Sequence, residues 1–234
     1  MKNIAIIPVR AGSTRVKKKN LLDFFGKPMF VHTVHHAMNS KVFEKIVVST
    51  ESEEVLDICN QYSIDTDYVR PDILSGGDVS LDDVCCDVLK FYKDKNIVFD
   101  NMCLLWATSP MRDDIDIVNS LNILKENYKN TDAVVAVTEY YYPPYCATIQ
   151  DKNKMLQPIM PLEFWKGSHG WPKTYVDCGS ISWVKMESFE KDKTWFPNNT
   201  RPYYLPKSKA VDLDTYEDLE LLTLYYRHQN KIDL

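Results

Sequence analysis

Short apolar runs alternate with amphipathic, helix-length segments from the first residues to Thr138. Asn3–Ile7 predicts a buried strand, and the polar stretch Pro8 to Lys19 behind it predicts a loop. Pro28–Asn39 predicts a helix, Lys45–Ser49 a strand and Glu53–Tyr62 a helix; Thr66–Val69 has the composition of a short strand. Leu81–Lys93 then predicts a helix, Met102–Trp106 a strand, Ile115–Tyr128 a helix and Ala133–Val137 a strand. Apolar runs that are continuous rather than alternating belong to strands covered on both faces, as in parallel sheets. Their alternation with helices predicts right-handed crossovers and a three-layer α/β sandwich with a mostly parallel sheet.

The pattern changes after Thr138. Tyr140–Tyr145 and Pro158–Pro172 hold many prolines and aromatics without a period, so 139–175 is expected to be an irregular but ordered insertion with one or two short strands. Regular signals return at Gly179–Val184, at Ala210–Leu213 and in a final helix from Thr215 to about His228. The whole of 1–234 is expected to form one domain.

Composition narrows the function. The net charge of −5 provides no global positive field for nucleic acid, so an anionic ligand needs a local basic pocket or a metal ion. No apolar run approaches the length that spans a bilayer, and Ile4–Ile7 is too short for a signal peptide. The six cysteines have no CxxC spacing and several lie in apolar runs, which predicts buried free thiols. A cytoplasmic protein with small-molecule substrates, and neither a nucleic-acid nor a membrane partner, is the expectation.

Ligands of open α/β sheets sit beyond the carboxyl ends of the strands, which singles out the loop after the first one. It carries Arg10, Ala11, Gly12, Ser13, Thr14, Arg15, Lys17, Lys18, Lys19 and Asn20. Guanidinium forks, ammonium point charges and small residues that bare backbone N–H groups suit a triphosphate. The loop is neither a Walker A sequence nor GxGxxG. Near the other end, Asp212 and Asp214 are two residues apart; in an extended segment both carboxylates face one side, a hard-oxygen pair suited to Mg²⁺ with phosphates. Asp214, with Glu217 three residues on, also fits a helix N-cap, and both readings are open here.

Taken in order, Ile7–Ser13 with Lys19-Asn20, Gly26–Met29, Ile46–Thr50, Arg70-Pro71, Leu104-Leu105 with Thr108–Pro110, and Asp212–Thr215 resemble the acylneuraminate (CMP-sialic acid) cytidylyltransferase family and its pseudaminic and legionaminic acid branches. The resemblance covers nearly the whole chain. It implies a Rossmann-like nucleotidyltransferase fold, with 139–175 as an insertion for dimerisation and sugar binding, and a homodimer. It also implies transfer of CMP from CTP to the anomeric hydroxyl of a nonulosonic acid, with Mg²⁺, or Mn²⁺ in its place. Arg10, Arg15 and Lys19 would hold the CTP phosphates, and Ala11, Gly12, Ser13, Asn20 and Ser80 would complete the nucleotide pocket. Asp212 and Asp214 would hold the metal. Many members have Ser-Lys-Arg where Ser13-Thr14-Arg15 stands, leaving Lys17 or Lys18 to compensate; Ser-Thr-Arg is similar to 3-deoxy-manno-octulosonate cytidylyltransferases, the alternative activity. Trp106-Ala107 in place of Gln-Pro, and Asp177-Cys178-Gly179, point away from N-acetylneuraminate. A nucleotide-sugar binding module without catalysis is the rival from another class.

Other groups rank lower. His32, His35 and His36 have helical spacing but no nearby carboxylate, which weighs against zinc. His169 reads as a surface residue, and the Tyr140–Tyr145 cluster as packing. Lys166, Lys173 and Arg201 are candidates for a sugar carboxylate. Cys85 and Cys86 lack a histidine neighbour in sequence and predict no nucleophile.

Overall fold

A computed structural model describes residues 1–13, 15–166 and 168–232. In chain order the strands are β1 (Asn3–Pro8), β2 (Asp23–Phe24), β3 (Lys27–Pro28), β4 (Lys45–Ser49), β5 (Asn101–Leu105), β6 (Ala133–Glu139), β7 (Thr148–Gln150), β8 (Leu156–Pro158), β9 (Tyr175–Lys185) and β10 (Thr200–Tyr204). The helices are α1 (Met29–Ser40), α2 (Glu53–Gln61), α3 (Leu81–Asp94), α4 (Asp114–Glu126), the single turn α5 (Pro161–Phe164), α6 (Met186–Asp192) and α7 (Tyr216–Asn230). Six strands make the central sheet in the order β10-β6-β9-β5-β1-β4. All pairings are parallel except those of β9, which runs antiparallel to β5 and β6.

The unbroken apolar run of β1 has a direct cause. Ala5 and Ile7 face a layer containing Val31 and Val34 of α1 and Ile117 and Leu121 of α4. Ile4 and Ile6 face Cys85, Val88 and Tyr92 of α3 on the other side. All four strand side chains are fully buried, and each such aliphatic burial stabilises by roughly 1.5–3 kcal/mol. Trp183 of β9 stacks on Phe43 and donates its indole N–H to Ser120 Oγ at 3.0 Å, which locks β9 to α4. A third cluster, Val16, Phe24, Met29, Met111, Leu213 and Leu222, seats α7 beneath the loop that follows β1.

Several expectations change. Thr66–Val69 forms no strand: Asp65 and Asp67 bind Lys45 Nζ at 2.5 and 2.9 Å, so side chains rather than a ladder hold the segment. Ala210–Leu213 is likewise irregular, because the Leu213 amide donates to Thr108 rather than to a strand. Strand β9 starts at Tyr175, inside the expected insertion, and the hairpin β7–β8 with α5 supplies the rest of that region's regular structure. The cap of α7 is Thr215, in a capping box with Asp218, so Asp214 with Glu217 is not the cap. Among the described residues, no helix is long and apolar enough to cross a membrane.

Candidate active site

The parallel strands β1, β4 and β5 direct their carboxyl ends at a cavity of about 330 Å³. Arg10, Lys19, Asn20, Arg70, Thr108 and Asp212 give its polar lining, while Leu74, Val79, Leu81, Val84 and Trp106 give an apolar wall. The loop after β1 folds back on itself to shape this mouth. Ser13 Oγ accepts from the Lys19 amide at 2.9 Å, and the Asn20 amide side chain donates to the Arg10 carbonyl at 2.9 Å. The Ala11 N–H donates to Glu51 Oε1 at 3.3 Å, whereas Gly12 stands in open space. Thr14 lies outside the described residues.

The two ends of the chain meet here. Lys19 Nζ donates to the Leu213 carbonyl and to Asp214 Oδ1, both at 2.9 Å, and an Arg15 guanidinium nitrogen stands 2.8 Å from the same carboxylate oxygen. Burial works to raise the Asp214 carboxyl, but Lys19 and Arg15 outweigh it and hold the group below the ordinary carboxylate value. Asp212 is its opposite: burial pushes its carboxyl up, only partly countered by the Thr108 side chain beside it and by the charge of Lys19. Its Oδ1 is buried without a hydrogen-bond partner. Such an orphaned oxygen costs about 1–3 kcal/mol unless something else meets it. Gly179 lies against this carboxylate: a Cβ there would stand 3.4 Å from Asp212 Oδ2, in ordinary contact, and it is the φ of +56° that favours glycine.

A hard divalent cation suits carboxylates two residues apart at the edge of a cavity that Asp212 lines, and it leaves remaining positions to phosphates and water. Asp212 offers a free oxygen, and Asp214 already balances two cations that a polyphosphate could also engage. No group of three or more histidine, cysteine, aspartate or glutamate side chains poised for a metal is found among the described residues. His32 instead pairs with the Phe24 carbonyl at 2.7 Å, and burial lowers the His36 imidazole to about 4.

Other expected residues fall outside the mouth. Ser80 caps α3, its Oγ accepting from the Asp83 amide at 3.1 Å, while its neighbours Val79 and Leu81 line the cavity. Lys18 is paired with Glu54 at 2.6 Å on the surface. Lys166 and Lys173 pair with Glu163 and Glu139, each at 3.8 Å. Arg201 lines a separate cavity of about 220 Å³ with Tyr175, Asp177 and Phe196. His169 is exposed, as are Tyr141 and Tyr142. Four cysteines are buried thiols, Cys86 is half-buried and Cys146 is exposed, contrary to a uniformly buried set. Arg70 was visible in sequence but had no assigned role: it is buried at the mouth, donating to Ser49 Oγ at 3.0 Å and to the Ser49 carbonyl, with Glu51 3.6 Å away. Its only signal was a charged residue before Pro71.

Residues 4–232 match the family model described as cytidylyltransferase. The chain belongs to the cytidylyltransferase family. This cytidylyltransferase is 28% identical over 232 residues to the pseudaminic acid cytidylyltransferase of Campylobacter jejuni, with 97% of each chain covered. It is 29% identical over 224 residues to the CMP-N,N'-diacetyllegionaminic acid synthase of Legionella pneumophila, with 94% of each covered. Among solved structures, a CMP:2-keto-3-deoxy-manno-octonic acid synthetase complexed with CTP superposes with a TM-score of 0.71 at 16% identity, covering 98% of this chain and 100% of that one. That likeness establishes the Rossmann-like nucleotidyltransferase fold.

Proposed function

We propose that the chain transfers CMP from CTP to the anomeric hydroxyl of a nonulosonic acid of the pseudaminic or legionaminic type, releasing pyrophosphate, with Mg²⁺ as its resident ion. The observation that carries the reading is the Lys19 bridge, which ties the basic loop after β1 to the Leu213 carbonyl and Asp214 at one cavity. The named relatives in Campylobacter and Legionella support the acid-sugar class. CTP enters with its base against the apolar wall of Leu74, Val79 and Trp106 and its phosphates toward Arg10, Arg15 and Lys19. The sugar hydroxyl oxygen bonds to the α-phosphorus and gives up its proton to solvent as the bond to the departing pyrophosphate breaks.

Four charged residues at or beside the mouth, together with Arg15, have tasks in this scheme. Arg10 and Lys19 hold the leaving phosphates, where charge accumulates as the bond breaks. Asp214 pre-orients Lys19 and Arg15 before the nucleotide arrives. Asp212, with its unpartnered oxygen, and Asp214 would hold the divalent cation. Such an ion, when bound, neutralises phosphate charge and lowers the pKa of the attacking hydroxyl. Exposed apolar residues on the arm after β6, among them Tyr142 at 83%, Leu162 at 79% and Trp165 at 76%, support its use as the contact of a homodimer.

Pyrophosphate release from CTP, measured with pseudaminic, legionaminic, N-acetylneuraminic and 3-deoxy-manno-octulosonic acids with and without Mg²⁺, tests the proposal. Turnover is expected with one of the first two and only with the metal. Preference for the eight-carbon acid would replace the sugar assignment, and CTP binding without release on any acid would leave a binding module.

A further inference from the structure

Beneath the mouth lies a charge that the scheme above does not use. Arg112 is completely buried, on the turn between β5 and α4. Its two terminal nitrogens donate to backbone carbonyls rather than to a carboxylate: to Ser109 at 2.5 Å and to Trp106 at 3.0 Å. Its Nε has no partner. Burial draws the guanidinium down to about 10, with Cys103, Cys178, Asp116 and Asp212 as the nearby groups that oppose the shift. An arginine withdrawn from water without an ion-pair partner is usually improved upon by an apolar side chain of similar volume, so its presence needs a task.

The bonds around it indicate the task. Arg112 clasps both ends of the turn Trp106–Ser109, and Thr33 Oγ1 adds a bond to the Trp106 carbonyl at 3.2 Å. Thr108, at the tip, accepts from the Leu213 amide through its carbonyl at 3.0 Å, which fixes the backbone next to Asp212, and its side chain lies beside the Asp212 carboxyl. The turn and the Thr108–Leu213 bond therefore join Arg112 to the backbone that carries Asp212, whose Oδ1 has no partner. We infer that Arg112 is a positioning residue, whose buried guanidinium fixes the Trp106–Ser109 turn so that Thr108 presents Asp212 to a divalent cation at the mouth.

This inference rests on the metal role proposed for Asp212, and the test separates the two. Mn²⁺ binding in the presence of CTP is read by electron paramagnetic resonance, alongside kcat and the KM for CTP. In Arg112→Met the apparent Mn²⁺ dissociation constant is expected to rise about tenfold and kcat to fall about thirtyfold, in the range seen when supports of metal ligands are removed. The KM for CTP should stay within about twofold, because the phosphate-binding cations are untouched, and Arg112→Lys should recover most of the kcat. Thr108→Val cuts the same path at its far end and decides the matter where Arg112→Met does not fold; it should reproduce the Mn²⁺ defect. Folded variants at both positions with native kcat and Mn²⁺ binding overturn the inference if Asp212→Asn is impaired in both. Native Mn²⁺ binding and turnover in Asp212→Asn would instead remove the metal reading on which the inference stands.

Discussion

Lys209 and Asp214 stand a short way apart in sequence and form mirror-image clusters. Lys209 is one cation between two carboxylates, 2.5 Å from Asp113 Oδ2 and 2.8 Å from Asp116 Oδ2. Asp214 is one carboxylate between two cations, Arg15 and Lys19. The first cluster is closed. Tyr203 donates to the other Asp116 oxygen at 2.8 Å, and Asp113 and Asp116 also form the capping box of α4. The second is open: the Arg15 side chain is 65% exposed, and beside it Asp212 keeps an oxygen unpartnered. A satisfied network holds structure in place, whereas one with an exposed cation and an unpartnered acceptor keeps groups available for further bonds.

Breaking the open cluster should have the largest effect. Asp212→Asn is expected to lower turnover at least about a hundredfold while the protein remains folded, measured as pyrophosphate release. Lys209→Met should act in the other currency, on stability. It leaves the buried Asp116 and the half-buried Asp113 without their cation and should reduce the unfolding free energy by about 2 kcal/mol at neutral pH, with kcat little changed. The pH dependence has a defined sign. Burial works to raise Asp113, but Lys209 and the Asp116 amide outweigh it and lower the group. Its contribution is therefore present above about pH 4 and is lost as the pH falls through the lower folded value. Urea titrations should show the gap between wild type and Lys209→Met shrinking below that pH; a gap that widens there contradicts the assignment.

Two smaller changes sharpen the contrast. Gly179→Ala combines a left-handed backbone with a Cβ against Asp212, and should cost about 1 kcal/mol of stability and a severalfold fall in kcat. Equal stability and rate would show that Asp212 can give way. Arg15→Ala, at a largely exposed position, should raise the KM for CTP only about threefold, and the difference should shrink further in high salt.

Legibility in the sequence follows the same division between closed and open parts. Strand β4 was read to the residue, and β1, β5, α1 to α4 and β6 to within two residues at each end, because strands covered on both faces must be continuously apolar. Strand β10 was missed for the converse reason. It lies at the sheet edge, pairs only with β6, and carries Arg201 and Pro202, which an edge tolerates and a hydropathy pattern does not register. Within the site, the clustering of Arg10, Arg15 and Lys19 and the spacing of Asp212 and Asp214 were readable as local pattern. Their meeting was not, since Lys19 reaches Asp214 across most of the chain. Neither was Arg112, whose importance derives from burial beneath Trp106 and Ser109 and from nothing in its immediate sequence.

The reversed strand has a consequence for synthesis. β9 occupies the place between β5 and β6, yet it is made long after β5 and only once the whole arm has left the ribosome. A growing chain can join β1, β4 and β5 early, but β6 has no neighbour to close against until β9 emerges and β10 follows. Gly179, which lies against Asp212, arrives on that same late strand. The mouth is thus completed only after β9 and the segment carrying Asp212 and Asp214 have been made, and a stalled chain ending before β9 holds the basic loop without its acidic counterpart.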